Sequence, residues 1–131
     1  MSGDASVHDA PLEDRNGLRD AGNAAFAKGA YSNAIALYIQ ALEAKGPEDP
    51  ELLGALSSNR AAVHMNMPRE HYKMALADAM KAIAHRPNWT KGYYRKAVAL
   101  QALGHHKEAL QVLTDEAKHL LPTLDFEALR R

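Results

Sequence analysis

Cysteine is missing from this chain of 131 residues, and aromatic residues make up only 6% of it. The absence of cysteine excludes disulfide frameworks and thiolate metal sites, and it is compatible with a reducing compartment. No apolar run approaches the roughly 20 residues that cross a bilayer, and the first residues lack the basic-then-apolar pattern of a signal peptide. These absences predict a soluble, cytoplasmic protein without a membrane partner.

Net charge is also lacking, since 16 basic and 16 acidic side chains balance. A neutral chain has no general attraction to nucleic acid or to acidic membranes, so neither is expected as a partner. Residues 1–14 contain Asp4, Asp9, Glu13 and Asp14 but no Lys or Arg. This stretch shows no apolar periodicity and is predicted to be a disordered acidic tail. The remainder of the chain is mildly basic.

Alanine is abundant and runs of β-branched residues are missing, which favours an all-α fold. From Arg15 onward, apolar residues recur at spacings of three and four in six predicted helices. Asn88 is expected to cap the fifth helix, and the sixth is expected to span about His106 to Leu120, before Pro122. The interruptions between the helices, rich in Gly and Pro, fall at Lys28–Ala30, Gly46–Pro50, Asn66–Glu70, Arg86–Pro87 and Gly104.

The six predicted helices form three self-similar pairs with a period near 34 residues. The segments in register are Gly22-Asn23 with Arg60-Ala61-Ala62 and Lys96-Ala97-Val98, and Ala34-Ile35 with Ala75-Leu76 and Ala109-Leu110. A period of this length indicates stacked helical repeats, because one pair cannot bury its own apolar face. The predicted repeats are approximately 15–48, 54–89 and 90–123.

This pattern resembles the tetratricopeptide repeat family over residues 15–123. The residues that match its signature are Gly22, Tyr31, Ala34, Tyr38 and Ala41 in the first repeat, Ala61, Tyr72, Ala75, Ala82 and Pro87 in the second, and Tyr93, Ala97, Gly104 and Ala109 in the third. The resemblance implies three tandem helix-turn-helix repeats in a right-handed superhelix. Residues 124–131, with Phe126 and Leu129, are expected to begin a C-terminal capping helix.

Five polar residues fall on the first helix of each pair, which lines the concave side of such a stack. They are Arg19, Asn23, Asn59, Lys91 and Arg95. Lys91 and Arg95 are four residues apart and share one helical face, as do Arg19 and Asn23. Cationic and amide donors gathered in one groove suit a pair of carboxylates, such as those of a C-terminal aspartate. Peptides with a free acidic C-terminus are therefore the predicted ligand class.

The same five residues resemble the dicarboxylate clamp of co-chaperone tetratricopeptide domains, of the form Lys, Asn, Asn, Lys, Arg. The resemblance implies that the chain binds the Glu-Glu-Val-Asp tail of the seventy- and ninety-kilodalton heat-shock chaperones, as a co-chaperone or adaptor. Arg19 departs from this pattern, because Lys is commoner there and a planar guanidinium presents a different geometry to carboxylate. Asn66 lies where a Lys often supplies a further contact.

A second set of residues, beside the five, is predicted to face the groove and to receive the ligand's valine and the residues before it. This set is Phe26, Ala62, Met65, Val98 and Gln101. Phe26 and Met65 are explained equally well as ordinary core residues, so both interpretations stay open at this stage.

Other functions are less well supported by the sequence. The seven histidines lack the spacing of a zinc enzyme, so no metal and no other cofactor is expected. No phosphate-binding loop, nucleophile elbow or paired carboxylate motif occurs, and no catalytic residue is predicted. The alternatives to a peptide-binding module are a scaffold for another protein partner and the targeting domain of a larger multidomain enzyme. We expect a monomer.

Overall fold

The structure of this chain is a computed structural model that describes residues 12–123. Its α-helices are α1 (Leu12–Ala27), α2 (Tyr31–Glu43), α3 (Pro50–Met65), α4 (Tyr72–His85), α5 (Thr90–Ala102) and α6 (His106–Gln111). A short 3-10 helix (Arg69–His71) precedes α4. No strand occurs in residues 12–123, and the predicted all-α fold of three helix pairs is confirmed. The predicted capping segment 124–131 and tail residues 1–11 lie outside the described residues.

The starts of two helices differ from the sequence prediction. α1 begins at Leu12, three residues before Arg15, so residues 12–14 of the predicted tail are helical. The predicted cap of α5 at Asn88 is wrong by one residue, because the cap position is Trp89, which makes no side-chain capping bond.

The sixth helix is not one regular helix to Leu120 as predicted. It changes after Gln111 into a π-helical segment (Val112–Glu116) and then into a 3-10 segment (Lys118–Thr123). The backbone N–H of Ala117 donates to the carbonyl of Val112, five residues earlier, at 3.0 Å, which is the wide turn of a π-helix. Apolar spacing cannot distinguish such a turn from a regular one, so the sequence did not indicate it.

The helices pack as consecutive antiparallel pairs around two apolar cores. The N-terminal core consists of Ala34, Tyr38, Ala41, Leu52, Leu56 and Val63, and the C-terminal core of Tyr93, Ala97, Leu100, Ala109, Val112, Ala117 and Leu120. Each α-helix also contacts the next one along the chain. In addition, α1 contacts α3 and α3 contacts α5, so the first helices of the three pairs form one adjoining row. This row carries all five of the predicted polar residues.

Gly22 sets how closely α1 approaches α2. A Cβ atom placed on Gly22 would lie 2.5 Å from Cε1 and 2.8 Å from Cδ1 of the Tyr38 ring. Tyr38 is completely buried, so its ring has little room to move away. Only glycine permits this contact.

We therefore expect Gly22→Ala to lower the free energy of unfolding by about 1–3 kcal/mol, as overpacking in a closed core does. Gly17→Ala is the matched control, because Gly17 lies in the same helix and a Cβ there would meet no atom within 4 Å. That variant should be more stable by up to about 1 kcal/mol, through helix propensity alone. Urea denaturation checks both variants, and equal stabilities for the two would contradict this account of Gly22.

Charged groups are buried between α3 and α4. The Arg60 guanidinium binds the Asp78 carboxylate with two hydrogen bonds, Nε to Oδ2 at 2.9 Å and Nη2 to Oδ1 at 2.5 Å. Asp78 is 3% exposed, and Nε2 of His64 lies 3.6 Å from its Oδ2. Burial is the main cause that lowers the pKa of His64, with His71 and Arg60 also lowering it and Asp78 opposing them. His64 is therefore neutral near neutral pH.

Candidate functional site

The five predicted polar residues lie on three neighbouring helices. Arg19 and Asn23 are one turn apart on α1, Asn59 lies in the middle of α3, and Lys91 and Arg95 are one turn apart on α5. Because α3 contacts both α1 and α5, the helices bring the two outer pairs to either side of Asn59. The structure thus places all five residues on the adjoining row of first helices.

Two of the predicted residues touch directly. Nδ2 of Asn59 donates a hydrogen bond to Oδ1 of Asn23 at 3.1 Å, across a sequence separation of 36 residues. The same oxygen accepts a hydrogen bond from the hydroxyl of Tyr38 at 2.5 Å. The two asparagine side chains are therefore joined in one network that links α1, α2 and α3.

Arg95 is held beside this pair through Ser58, the residue before Asn59. Nε of Arg95 lies 3.3 Å from Oγ of Ser58, to which it donates. Ser58 is completely buried and Arg95 is half-buried. Burial lowers the pKa of Arg95, while Tyr94 opposes that shift, and a guanidinium nevertheless keeps its charge near neutral pH. A partly desolvated cation of this kind interacts more strongly with an anion than a fully hydrated one.

The other two cations are more accessible. Lys91 is exposed, and its Nζ lies 5.8 Å from the centroid of the Trp89 ring. The Arg19 side chain is 33% exposed and turns toward its neighbour on α1, with Nε and Nη2 both 3.1 Å from Oδ1 of Asp20. Arg19 and Asn23 thus share a face of α1, as predicted from their spacing, but no direct contact between their side chains was found.

Phe26 and Ala62, two of the predicted apolar lining residues, are more buried than that role suggests. Phe26 is half-buried, packs against the N-terminal core, and meets Tyr31 edge-on with ring centroids 5.9 Å apart. Ala62 is 5% exposed. The packing of Phe26 agrees with the core alternative, and the role of both residues in a ligand groove stays a prediction.

The remaining predicted residues are half-buried or exposed. Met65 and Val98 are half-buried, and Gln101 is exposed. Asn66 occupies the position after α3, and its Nδ2 donates to the carbonyl of Ala62 at 2.9 Å. One amide N–H of Asn66 therefore caps its own helix, which leaves its second N–H and its oxygen for any further contact.

Sequence interpretation missed two residues of this network, Tyr38 and Ser58. Tyr38 matches the repeat signature, which does not name the hydrogen-bond partner that a buried tyrosine hydroxyl needs. Ser58 precedes Asn59 in the sequence and belongs to none of the predicted sets. The signal that could have identified both residues is the hydroxyl group that each carries. A buried hydroxyl requires a hydrogen-bond partner, and repeat periodicity does not say which residue provides it.

The site offers hydrogen-bond donors and positive charge. In the part of the chain that the structure describes, no group of three or more metal-ligating side chains was found, and no helix there is long and apolar enough to span a membrane. Guanidinium, ammonium and amide groups of this kind bind carboxylate or phosphate oxygens. The arrangement therefore suits recognition of an anionic group.

Comparison with solved structures finds close relatives in fold. The Sgt2 TPR domain from Aspergillus fumigatus aligns with a TM-score of 0.68 and 30% identity, over 92% of this chain and 82% of that one. The first TPR of Spaghetti (RPAP3), solved bound to the HSP90 peptide SRMEEVD, aligns with a TM-score of 0.74 and 28% identity, over 92% and 91% of the two chains.

Comparison with curated proteins finds matches to parts of longer chains. The STIP1 homolog of Dictyostelium discoideum is 40% identical over 92 residues, which are 70% of this chain and 15% of that protein. Serine/threonine-protein phosphatase T of Aspergillus oryzae is 38% identical over 100 residues, 76% of this chain and 20% of that protein. This chain thus spans a fifth or less of the length of these two relatives. No family model matches the sequence.

Proposed function

Since this chain belongs to the tetratricopeptide repeat family and is homologous to the repeat domains of co-chaperones, we propose that it is a non-catalytic module that binds acidic peptides by their free C-terminus. The ligand we propose ends in Glu-Glu-Val-Asp, as does the peptide bound to the first TPR of Spaghetti. The side chains proposed to hold its carboxylates are Arg19, Asn23, Asn59, Lys91 and Arg95.

The observation that carries this proposal is the hydrogen bond between Asn23 and Asn59, with Arg95 anchored next to them by Ser58. These two contacts bring residues from three repeats together in one group of hydrogen-bond donors, with cations on either side. Hydrogen bonds from such groups to a carboxylate contribute roughly 1.5–3 kcal/mol each. Several of them acting together suffice for a specific peptide complex.

The proposed partners are the C-terminal tails of the ninety- and seventy-kilodalton heat-shock chaperones, with the chain acting as a co-chaperone or adaptor in the cytoplasm. Support for the ninety-kilodalton class comes from the Spaghetti complexes, both solved with an HSP90 peptide. We also propose the seventy-kilodalton class, which the family resemblance of the sequence implies, and a monomeric state, which is expected from the sequence. We propose that Phe26, Ala62, Met65 and Val98 contact the ligand's valine and the residues before it, and that Asn66 contacts the side chain of the terminal aspartate.

A second candidate is the targeting domain of a larger enzyme. It is favoured by the match to phosphatase T, in which the aligned segment is one part of a much longer protein. The two candidates are compatible, because a domain that binds a chaperone tail can direct an attached enzyme to it.

Titration of fluorescently labelled SRMEEVD tests the proposed function. The free-acid peptide should bind with an affinity that falls as salt rises, because charge pairs at an accessible site are screened. The same peptide with an amidated C-terminus should bind at least tenfold more weakly, since one carboxylate is lost. Equal affinities for the acid and the amide would refute a carboxylate clamp and favour a scaffold that uses another surface.

A further inference from the structure

The hydroxyl of Tyr38 reaches the candidate site from α2, a helix with no predicted binding residue. Tyr38 is completely buried, and its hydroxyl donates to Oδ1 of Asn23 at 2.5 Å. Asn59 donates to the same oxygen from α3, at 3.1 Å. A single amide oxygen at the edge of the proposed clamp thus accepts two hydrogen bonds from the protein itself.

These two bonds determine what Asn23 can offer a ligand. A carboxamide oxygen has two acceptor positions, and here Tyr38 and Asn59 fill both of them. Asn23 is an exposed residue, so the group it presents to an incoming ligand is its Nδ2, which only donates. A ligand that meets Asn23 must therefore supply an acceptor, as a carboxylate does.

The opposite orientation of the Asn23 amide is disfavoured by Tyr38. A reversed amide would place its N–H groups against the N–H of Asn59 and against the tyrosine hydroxyl. The hydroxyl proton would then lose its acceptor inside the core, where an unpaired polar group is costly. Asn59 could adapt by reversing its own amide, but the Tyr38 proton cannot. The tyrosine is thus the group that fixes the direction of the network.

Protonation of Tyr38 is secure near neutral pH. Burial raises the pKa of Tyr38, because the phenolate would lose its solvation. The hydroxyl therefore remains a donor under the conditions in which a peptide would bind.

We propose that Tyr38 is a positioning residue for ligand binding, which locks the Asn23 side chain with its NH2 group toward the groove and so selects ligands that bring acceptors. This inference rests on the proposed function, because the selected ligand is the carboxylate of a peptide. Tyr38 makes no contact with the ligand in this proposal and acts through Asn23.

Tyr38→Phe tests the inference, because it keeps the ring and removes only the hydroxyl. Its affinity for free-acid SRMEEVD should fall by about five- to tenfold, the effect of losing one ordered hydrogen bond. In an Asn23→Ala background the same substitution should change the affinity by less than about twofold, since no amide remains to be positioned. Equal losses in both backgrounds would show that Tyr38 acts through packing alone and would overturn the inference.

Tyr93→Phe is the matched control. Tyr93 is also buried, and its hydroxyl donates to a backbone carbonyl, that of Pro87, at 2.6 Å. Removing this hydroxyl should change affinity by the same factor with and without Asn23. Coupling to Asn23 as large as that of Tyr38→Phe would contradict a specific role for Tyr38.

A measurement without peptide separates this inference from the proposed function. In the unliganded wild type, the NMR order parameter of the Asn23 side-chain amide should approach that of rigid backbone, about 0.85, and should drop below about 0.6 in Tyr38→Phe. A disordered Asn23 amide in the wild type would overturn the inference without any variant. If the wild type fails to bind SRMEEVD, the proposed function is refuted, and the order parameter still decides the role of Tyr38.

Discussion

Lys91→Ala and Arg95→Ala should each weaken binding of free-acid SRMEEVD by about 10- to 150-fold. Each substitution removes a cationic donor whose hydrogen bonds to carboxylate contribute roughly 1.5–3 kcal/mol. The Lys91 effect should shrink as salt rises, because that side chain is exposed, whereas half-buried Arg95 should be less sensitive. Fluorescence polarisation at two salt concentrations checks both expectations, with circular dichroism to confirm that the variants remain folded.

Lys107→Ala is the control for Lys91→Ala. Lys107 is also exposed and is also the second residue of its helix, α6, so the two substitutions make the same local change in charge and helix propensity. Only Lys91 lies on the row of first helices, and Lys107→Ala should leave affinity within about twofold of the wild type. Unchanged affinity in Lys91→Ala and Arg95→Ala would rule out these cations as carboxylate ligands.

Asp78→Asn should lower the free energy of unfolding by about 3–5 kcal/mol. The substitution keeps the size of the side chain but leaves the Arg60 guanidinium with an uncompensated charge between α3 and α4. The two side chains are only 4% and 14% exposed, so water cannot replace the lost carboxylate. Chemical denaturation at neutral pH measures the loss, which is a large fraction of the stability of a small domain.

Glu116→Gln offers a comparison at an accessible ion pair. Nζ of Lys96 lies 2.7 Å from Oε1 of Glu116, where the acidic side chain is 44% exposed. Breaking that pair should change stability by no more than about 1 kcal/mol.

A double substitution of the buried pair, Arg60→Met with Asp78→Leu, should recover most of the loss caused by Asp78→Asn, because no charge is then left buried. A loss of under 1 kcal/mol for Asp78→Asn alone would contradict this account.

The sequence predicted correctly those features that depend on interactions between neighbouring residues. Gly29 and Gly104, predicted as interruptions, both adopt positive φ, at 77° and 86°, where other residues are strained. Such turns depend on neighbouring residues only, and the sequence displays them directly. The π-helical turn after Gln111 was missed because it leaves the apolar periodicity almost unchanged.

The candidate site shows the same division. Repeat register placed Asn59 and Arg95 on the first helices of successive pairs, and the structure connects Arg95 to Ser58, the residue before Asn59. Register could not predict that Asn23 and Asn59 share a hydrogen bond, or that Tyr38 completes it. A hydrogen bond depends on the positions of two or three atoms to within a few tenths of an ångström, and periodicity specifies positions only to about one helical turn.

The sequence by itself determined the six α-helices of residues 12–123, their order and which of them carries each cationic side chain of the candidate site, because these depend on local spacing and on residues that break helices. Tertiary structure alone decided which polar atoms meet. The close approach of α1 to α2, permitted by Gly22, brings the Tyr38 hydroxyl to Asn23, and the contact of α1 with α3 brings Asn59 to the same oxygen. The direction in which that amide faces is thus set by packing between residues that are 15 and 36 positions apart in the chain.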